Sequence, residues 1–168
     1  MAASVYMSII GAKSGEITKG NSTVESMGND FEDIFQDKIV VQSFQHEIST
    51  AYNLNSGHPA GQKLPKPLII TKTFDKSSPL LQQALSSGER LTEVVLRWYR
   101  PTRTSDKEHY YTTVLKDAVI VSIRDYMHDI QNPTTEQSMH MEEVHFNYRD
   151  ISWTHEICGT SGTYSWGS

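Results

Sequence analysis

The chain has 168 residues and a mass of 19.0 kDa, with 37% hydrophobic and 21% charged residues. That length suits one domain able to bury about 70% of its unfolded surface, and the composition excludes wholesale disorder. A net charge of −5 and a pI near 5.8 argue against a general nucleic-acid binder, and one cysteine, Cys158, excludes an intrachain disulfide and any multi-cysteine zinc site.

The chain opens on a β-like run at 4–10, in a segment with no basic n-region and an interrupted apolar stretch. This reads as a mature strand, not a signal peptide, so synthesis and folding in the cytoplasm are expected. Residues 20–38 read as a loop with five acids between Glu25 and Asp37 and no base until Lys38. A strand is expected over 39–50. Residues 51–66, which hold Asn53, Asn55, Gly57, Pro59, Gly61 and Pro65, then read as an extended polar loop.

A strand at 67–74 precedes the best-punctuated element, a helix over about 78–87. Ser78 is the expected N-cap, Pro79 the first helical residue and Gly88 the left-handed stop. Leu80, Leu81, Ala84 and Leu85 form its apolar stripe. The next strand, 91–99, places Val94, Leu96 and Trp98 on one face and is expected to bury them. Strands follow at 109–116 and 118–125. In the latter Ala118 and Ile120 share one face, while Val119, Val121 and Ile123 share the other, so both sides need cover. Strands 141–149 and 151–155 change apolar parity between them, which requires a kink at Arg149–Asp150. Residues 156–168 read as a turn-rich tail. The longest apolar run, 118–121, is far short of the ~20 residues that span a bilayer.

No motif of known chemistry emerges. The chain has no Gly-rich phosphate loop, no Gly-x-Ser-x-Gly and no His-Glu-x-x-His. His140 and His145 have opposite strand parity, as do Glu142 and Glu143, which is poor geometry for a metal or a carboxylate pair. His155 and Cys158 are the best residues for an enzymatic reading, but no third orienting group is evident. The run Trp98–Arg100 is better read as packing than as a base-stacking platform, given the acidic balance. No catalytic residue, cofactor or metal site is therefore expected.

Six segments, in order, resemble the Hcp proteins, tube subunits of the bacterial type VI secretion system. They are Tyr6 to Ile17, Val41 to His46, Lys66 to Leu80, Tyr126 to Ile130 with Pro133, Glu142 to Tyr148, and Ile151 to His155. The resemblance implies a mainly β fold: a small β-barrel of two antiparallel-rich sheets, flanked by one short helix, as a single domain over 1–168. It also implies homohexameric rings that stack into a tube, with a VgrG-type spike, sheath proteins and small effector proteins in the lumen as partners. Assembly would begin in the bacterial cytoplasm, with export to the extracellular space or a target cell without a cleaved signal peptide. Neither nucleic acid nor membrane insertion is implied.

The resemblance favours the 51–66 loop as the inter-ring element, with Asn53, Leu54, Asn55, Ser56, Gly57, His58, Lys63 and Lys66 as its contact residues. Charge patterning adds a stacking partner in the acidic segment: Asp30, Glu32, Asp33 and Asp37. Val119, Val121 and Ile123 form the expected ring interface. The alternatives are a free-standing β-barrel effector-binding module without tube assembly, and an enzyme built on His155 and Cys158.

Overall fold

The computed structural model describes every residue except 1–2, 22, 28–36, 105, 135–138 and 167–168. It is mainly β. Strands β1 (Ser4–Gly11), β2 (Gly15–Glu16) and β3 (Ile39–Val41) lie on one side, and β4 (Ser43–Gln45) and β7 (Leu68–Thr73) on the other. Between them run β8 (Leu91–Pro101), β9 (Lys107–Tyr126) and β10 (Met141–Asn147), and the main sheet has the order β2-β1-β8-β9-β10-β7-β4. β11 (Asp150–His155) and β12 (Thr160–Ser165) branch from β9, and every pairing is antiparallel.

The sheet is not closed into a barrel. Among the described residues β3 pairs only with β1, and β4 only with β7, so the expected 39–50 strand is broken into pieces on opposite edges. A single bend residue, Gln42, carries the chain from one edge to the other and donates its N–H to the Thr71 carbonyl at 2.7 Å. The chain itself spans the gap that the ladder leaves open.

One long strand replaces the two expected at 109–116 and 118–125. β9 turns a corner at Asp117, whose φ is +50°. Before the corner it pairs with β11, and beyond it with β10. The partner chain turns at the same level, where Arg149 N–H donates to the Lys116 and Asp117 carbonyls at 3.2 Å. This is the kink that the parity change at Arg149–Asp150 requires. Arg90 forms an ion pair with Asp117 and pins the corner from β8's side.

The core gathers Met7, Ile9, Ile70, Leu96, Leu115 and Phe146 from both halves of the bent sheet. Helix α2 (Ser78–Ser87) covers it with Leu81 and Ala84, both buried, and with Leu85 packed alongside. Leu80, placed on the same stripe by the sequence, is exposed. Gly88 ends the helix at φ +66°, and Glu89 N–H returns to the Ala84 carbonyl at 3.0 Å, as a left-handed C-terminal stop requires. The N-cap is Ser77, one residue before the expected Ser78, and its hydroxyl does not cap. Asp75 instead fixes the turn that leads into the helix: its Oδ1 accepts from Ser77 N–H at 3.0 Å and Ser77 Oγ at 2.5 Å. A one-turn helix, α1 (Val24–Met27), is a further element within the acidic segment.

Asp75 also belongs to a buried ionic cluster. The Lys72 ammonium has no solvent exposure and donates to Asp75 Oδ1, the Thr73 carbonyl and Ser78 Oγ, each at 3.0 Å, and to Glu142 Oε1. Asn21 joins it, donating to Asp75 Oδ2 at 2.9 Å and accepting from Ser77 N–H at 2.8 Å.

Two stability predictions follow from this packing. Lys72→Met leaves two buried carboxylates without a cation and is expected to cost about 3–5 kcal/mol in urea denaturation. A loss below about 1 kcal/mol would show that the carboxylates find other compensation. Leu81→Ala is expected to cost about 2–5 kcal/mol, and a near-zero loss would mean the helix does not seal the core.

Candidate functional site

Residues 51–66 are not an open loop. Strand β5 (Ile48–Tyr52) pairs with β6 (Pro59–Pro65) as a separate two-stranded antiparallel sheet. Alternating Ile48, Thr50 and Tyr52 supply strand character, and the two prolines sit at the ends of an edge strand, where no ladder donor is lost. The turn is built by Asn53, whose Oδ1 accepts from Asn55 N–H at 2.8 Å, and by Gly57 at φ +72°. All six turn residues, Asn53, Leu54, Asn55, Ser56, Gly57 and His58, are exposed, and Leu54 is 86% accessible. Tyr52 and Leu64 are also exposed, so the arm carries apolar side chains into solvent.

The hairpin is tied to the body at its base. Tyr148, at the end of β10, places its hydroxyl 2.6 Å from His46 Nε2 and 3.3 Å from the Lys66 carbonyl. With the ring proton on Nε2, His46 donates to the phenol and the phenol donates to Lys66, so one hydroxyl links both ends of the arm. Burial lowers the His46 pKa, which keeps the ring neutral at pH 7. Burial, followed by the charge of Tyr164, pushes the Tyr148 phenol up to about 12.

Of the two lysines expected to face another ring, Lys63 is exposed and forms no ion pair among the described residues. Lys66 forms a solvent-exposed ion pair with Glu47 at 3.0 Å within the chain. On the acidic side, Asp37 accepts from Gly20 N–H at 2.8 Å. Asp30, Glu32 and Asp33 lie outside the described residues.

The three β9 residues do not share one face. A bulge opposite His145/Phe146 puts an extra residue in β9 at Val121, so Ile123 turns inward and packs on the core. Val119 is half-buried and Val121 is 42% exposed, leaving these two on the outer side.

Beside the hairpin base lies an aromatic groove of about 560 Å³, which the sequence did not reveal because its walls come from four separate stretches. Phe44 meets Trp98 edge-on at 4.7 Å, and Tyr111 faces Trp98 at 6.4 Å. Trp98 is therefore half-buried in the groove wall, not sealed in the core with Val94 and Leu96, and its Nε1–H donates to Thr113 Oγ1 at 3.1 Å. His46 and Trp153 close one side, and His155 stands against Tyr110 and Tyr111 on the other. A smaller cleft of about 170 Å³ continues from Tyr111, Trp153 and His155 along β12.

β12 itself corrects the expected C-terminal tail. Residues 160–165 pair with β11 through a turn at Glu156–Gly159, with Gly159 at φ +73°. Small polar residues pair here because Trp153 on β11 lies directly across from Gly162. Cys158 is exposed in that turn, where its N–H donates to His155 Nδ1 at 3.1 Å. Glu142 and Glu143 do diverge: Glu142 is buried on Lys72, whereas Glu143 meets His145 at 2.7 Å and Arg124 at 3.1 Å. The His145 and Arg124 hydrogen bonds hold the Glu143 carboxyl below its usual range.

An open sheet with a projecting arm, a grooved flank and one sealing helix is a fold with known relatives. The sequence profile of the family described as "Type VI secretion system effector, Hcp" matches residues 6–155. The chain belongs to the Hcp family. It is 52% identical over 168 residues to the "Major exported protein" of Pseudomonas aeruginosa PAO1, covering all of this chain and 98% of that one. A crystal structure titled as that of an Hcp protein superposes with a TM-score of 0.95 at 35% identity, covering 99% of both chains. The secreted protein Hcp3 from Pseudomonas aeruginosa superposes at 0.83 with 48% identity, covering 99% of this chain and all of that one.

The Tyr148 bridge predicts a titration. The folded phenol binds its proton more tightly than an unfolded tyrosine near 10, so the native state loses stability as pH rises from about 10 to 12. Tyr148→Phe is expected to flatten that slope and to speed proteolysis at the hairpin base. An unchanged slope would place the shift elsewhere.

Proposed function

We propose that this chain is the tube subunit of a type VI secretion system. It assembles as homohexameric rings that stack head to tail, and it carries small effector proteins in the ring lumen. The observation that supports this best is the extent of the family match. The family model spans residues 6–155, and the relatives cover the chain almost end to end, arm included. The proposed role is structural, not catalytic. The same reading brings the partners: a VgrG-type spike at the tip, sheath proteins outside and effectors within. The Pseudomonas relative is named for its export. Assembly in the bacterial cytoplasm followed by release outside the cell or into a target cell, without a cleaved signal peptide, is proposed for this chain as well.

The ring requires a patch that meets a different patch on the next copy. Val119 and Val121 on the outer side of β9 are proposed for that contact, and Ile123 is withdrawn from it by its core packing. For stacking, the hairpin turn with His58 and Lys63 meets the acidic segment that includes Glu32 and Asp33. Lys66 contributes less, being satisfied by Glu47.

Light scattering of the purified protein tests the ring directly, with an expected mass near six times 19.0 kDa. A monomer at all concentrations would favour the free-standing effector-binding module instead. Lys63→Glu is expected to leave the rings intact and shorten tubes in electron micrographs. Tube lengths unchanged from low to high salt would overturn the charge pairing, because screening at 1 M shortens the Debye length to ~3 Å.

A further inference from the structure

The aromatic groove takes no part in the contacts proposed above, since neither Val119, Val121 nor the hairpin turn is among its walls. Of the eight described residues that line it, seven carry rings. Trp98 and Tyr111 stand at 80° with centroids 6.4 Å apart, and Tyr111 and His155 at 83° and 6.4 Å. Phe44 meets Trp98 at 84° and 4.7 Å. Right-angled ring pairs are ordinary in packed cores. Here they border about 560 Å³ of open space, and Trp98, Tyr111 and Trp153 are each only half-buried.

We propose that the groove is an aromatic cage for a quaternary ammonium group, with Trp98, Tyr111 and Trp153 as its principal walls. The faces of aromatic rings carry negative potential and attract cations. Among the described residues no Asp, Glu, Lys or Arg lines the groove. A primary ammonium or guanidinium group entering it gives up hydrogen bonds to water with no carboxylate to replace them. A trimethylammonium group has no N–H to leave unpaired, and its methyl groups pack against rings. One ring of the set already meets a cation: the Arg100 guanidinium lies 4.6 Å from the Tyr110 centroid, with its charge balanced by Glu108 at 2.7 Å. Burial keeps His46 neutral at pH 7, so that wall adds no competing charge. The surroundings have the right sign. The chain carries a net charge of −5, and exposed Glu156 follows His155, its carboxylate accepting from Thr112 Oγ1 at 2.6 Å. The cleft that continues along β12 is walled by Thr160, Ser161 and Gly162, which leaves room for the polar remainder of such a ligand. The site lies within one chain and needs no second copy.

Tryptophan fluorescence supplies the test, because two walls of the cage are indoles. The full chain is titrated with tetramethylammonium chloride and with phosphocholine, against sodium chloride at matched ionic strength. A saturable change is expected for both quaternary ligands and none for sodium. 3,3-Dimethylbutanol, the uncharged isostere of choline, and ethanolamine, its primary amine, are each expected to bind about tenfold more weakly or worse. Trp153→Ala is expected to lower affinity by about tenfold, Trp153→Phe to restore most of it, and Trp166→Phe, away from the groove, to leave it unchanged. Circular dichroism checks that each variant folds, and Tyr111→Leu replaces Trp153→Ala should the latter unfold. Flotation with phosphatidylcholine vesicles, against phosphatidylglycerol vesicles, separates the two sources of the group. Flotation with phosphatidylcholine alone assigns a lipid headgroup, and phosphocholine binding without flotation assigns a free solute. No saturable change with either quaternary ligand, or equal affinity for dimethylbutanol, overturns the cage.

Discussion

The fold turns on one ammonium group that has no water. Lys72 is fully buried, and a cation in that position must be met by opposite charge and filled hydrogen bonds. The groups that meet it come from different parts of the chain: Asp75 from the turn before α2, Glu142 from β10 and Ser78 from the first turn of the helix. Two carboxylates face one lysine. The excess negative charge is shared by the Ser77 and Ser78 hydroxyls, by Asn21 and by the Ser77 N–H at the start of α2, where a helix favours an anion. A cluster of this kind contributes less to net stability than an apolar core of equal volume would. What it does is join α2 to β7 and β10 through one hydrogen-bonded cluster of Lys72, Asp75, Ser78 and Glu142.

The second constraint is the corner at Asp117. A strand of 20 residues would leave the small core behind if it ran straight. By bending with its neighbour at Arg149, β9 pairs β11 on one side of the corner and β10 on the other. It thereby wraps one sheet around the core from two directions. The groove and the helix sit at opposite parts of this wrapped strand: Tyr110, Tyr111 and Thr113 line the groove, and Asp125 accepts from Gln82 of α2 at 3.3 Å.

Much of this was legible in the sequence, and the failures have physical causes. The Ser-Pro start and Gly88 stop marked α2 because backbone geometry demands those residue types there. The parity flip at Arg149–Asp150 was legible because a strand cannot change faces without a break. The break at Gln42 was not: 39–50 carries continuous strand propensity, and only tertiary pairing divides it between two edges. Pro59, Gly61 and Pro65 disguised β6 as a loop, since an edge strand tolerates what a central strand does not. Strict alternation puts Ile123 on the face of Val119 and Val121, but it fails at the bulge, and nothing in Ala-Val-Ile-Val-Ser-Ile announces one. The groove was invisible for the same reason as the Lys72 cluster. Each is a meeting of distant residues, and single-strand patterns carry no information about what lies across the fold.

The arm's weak attachment has an evolutionary consequence. Among its strand residues only Ile48 packs against the core, and the rest of the hairpin hangs from the Tyr148 hydroxyl and the Glu47–Lys66 pair. Sequence change in the turn is therefore nearly invisible to folding, and under the assembly proposed above selection there acts on fit between copies. In that assembly, lineages that share this scaffold would be free to diverge in compatibility at the turn while keeping the same body.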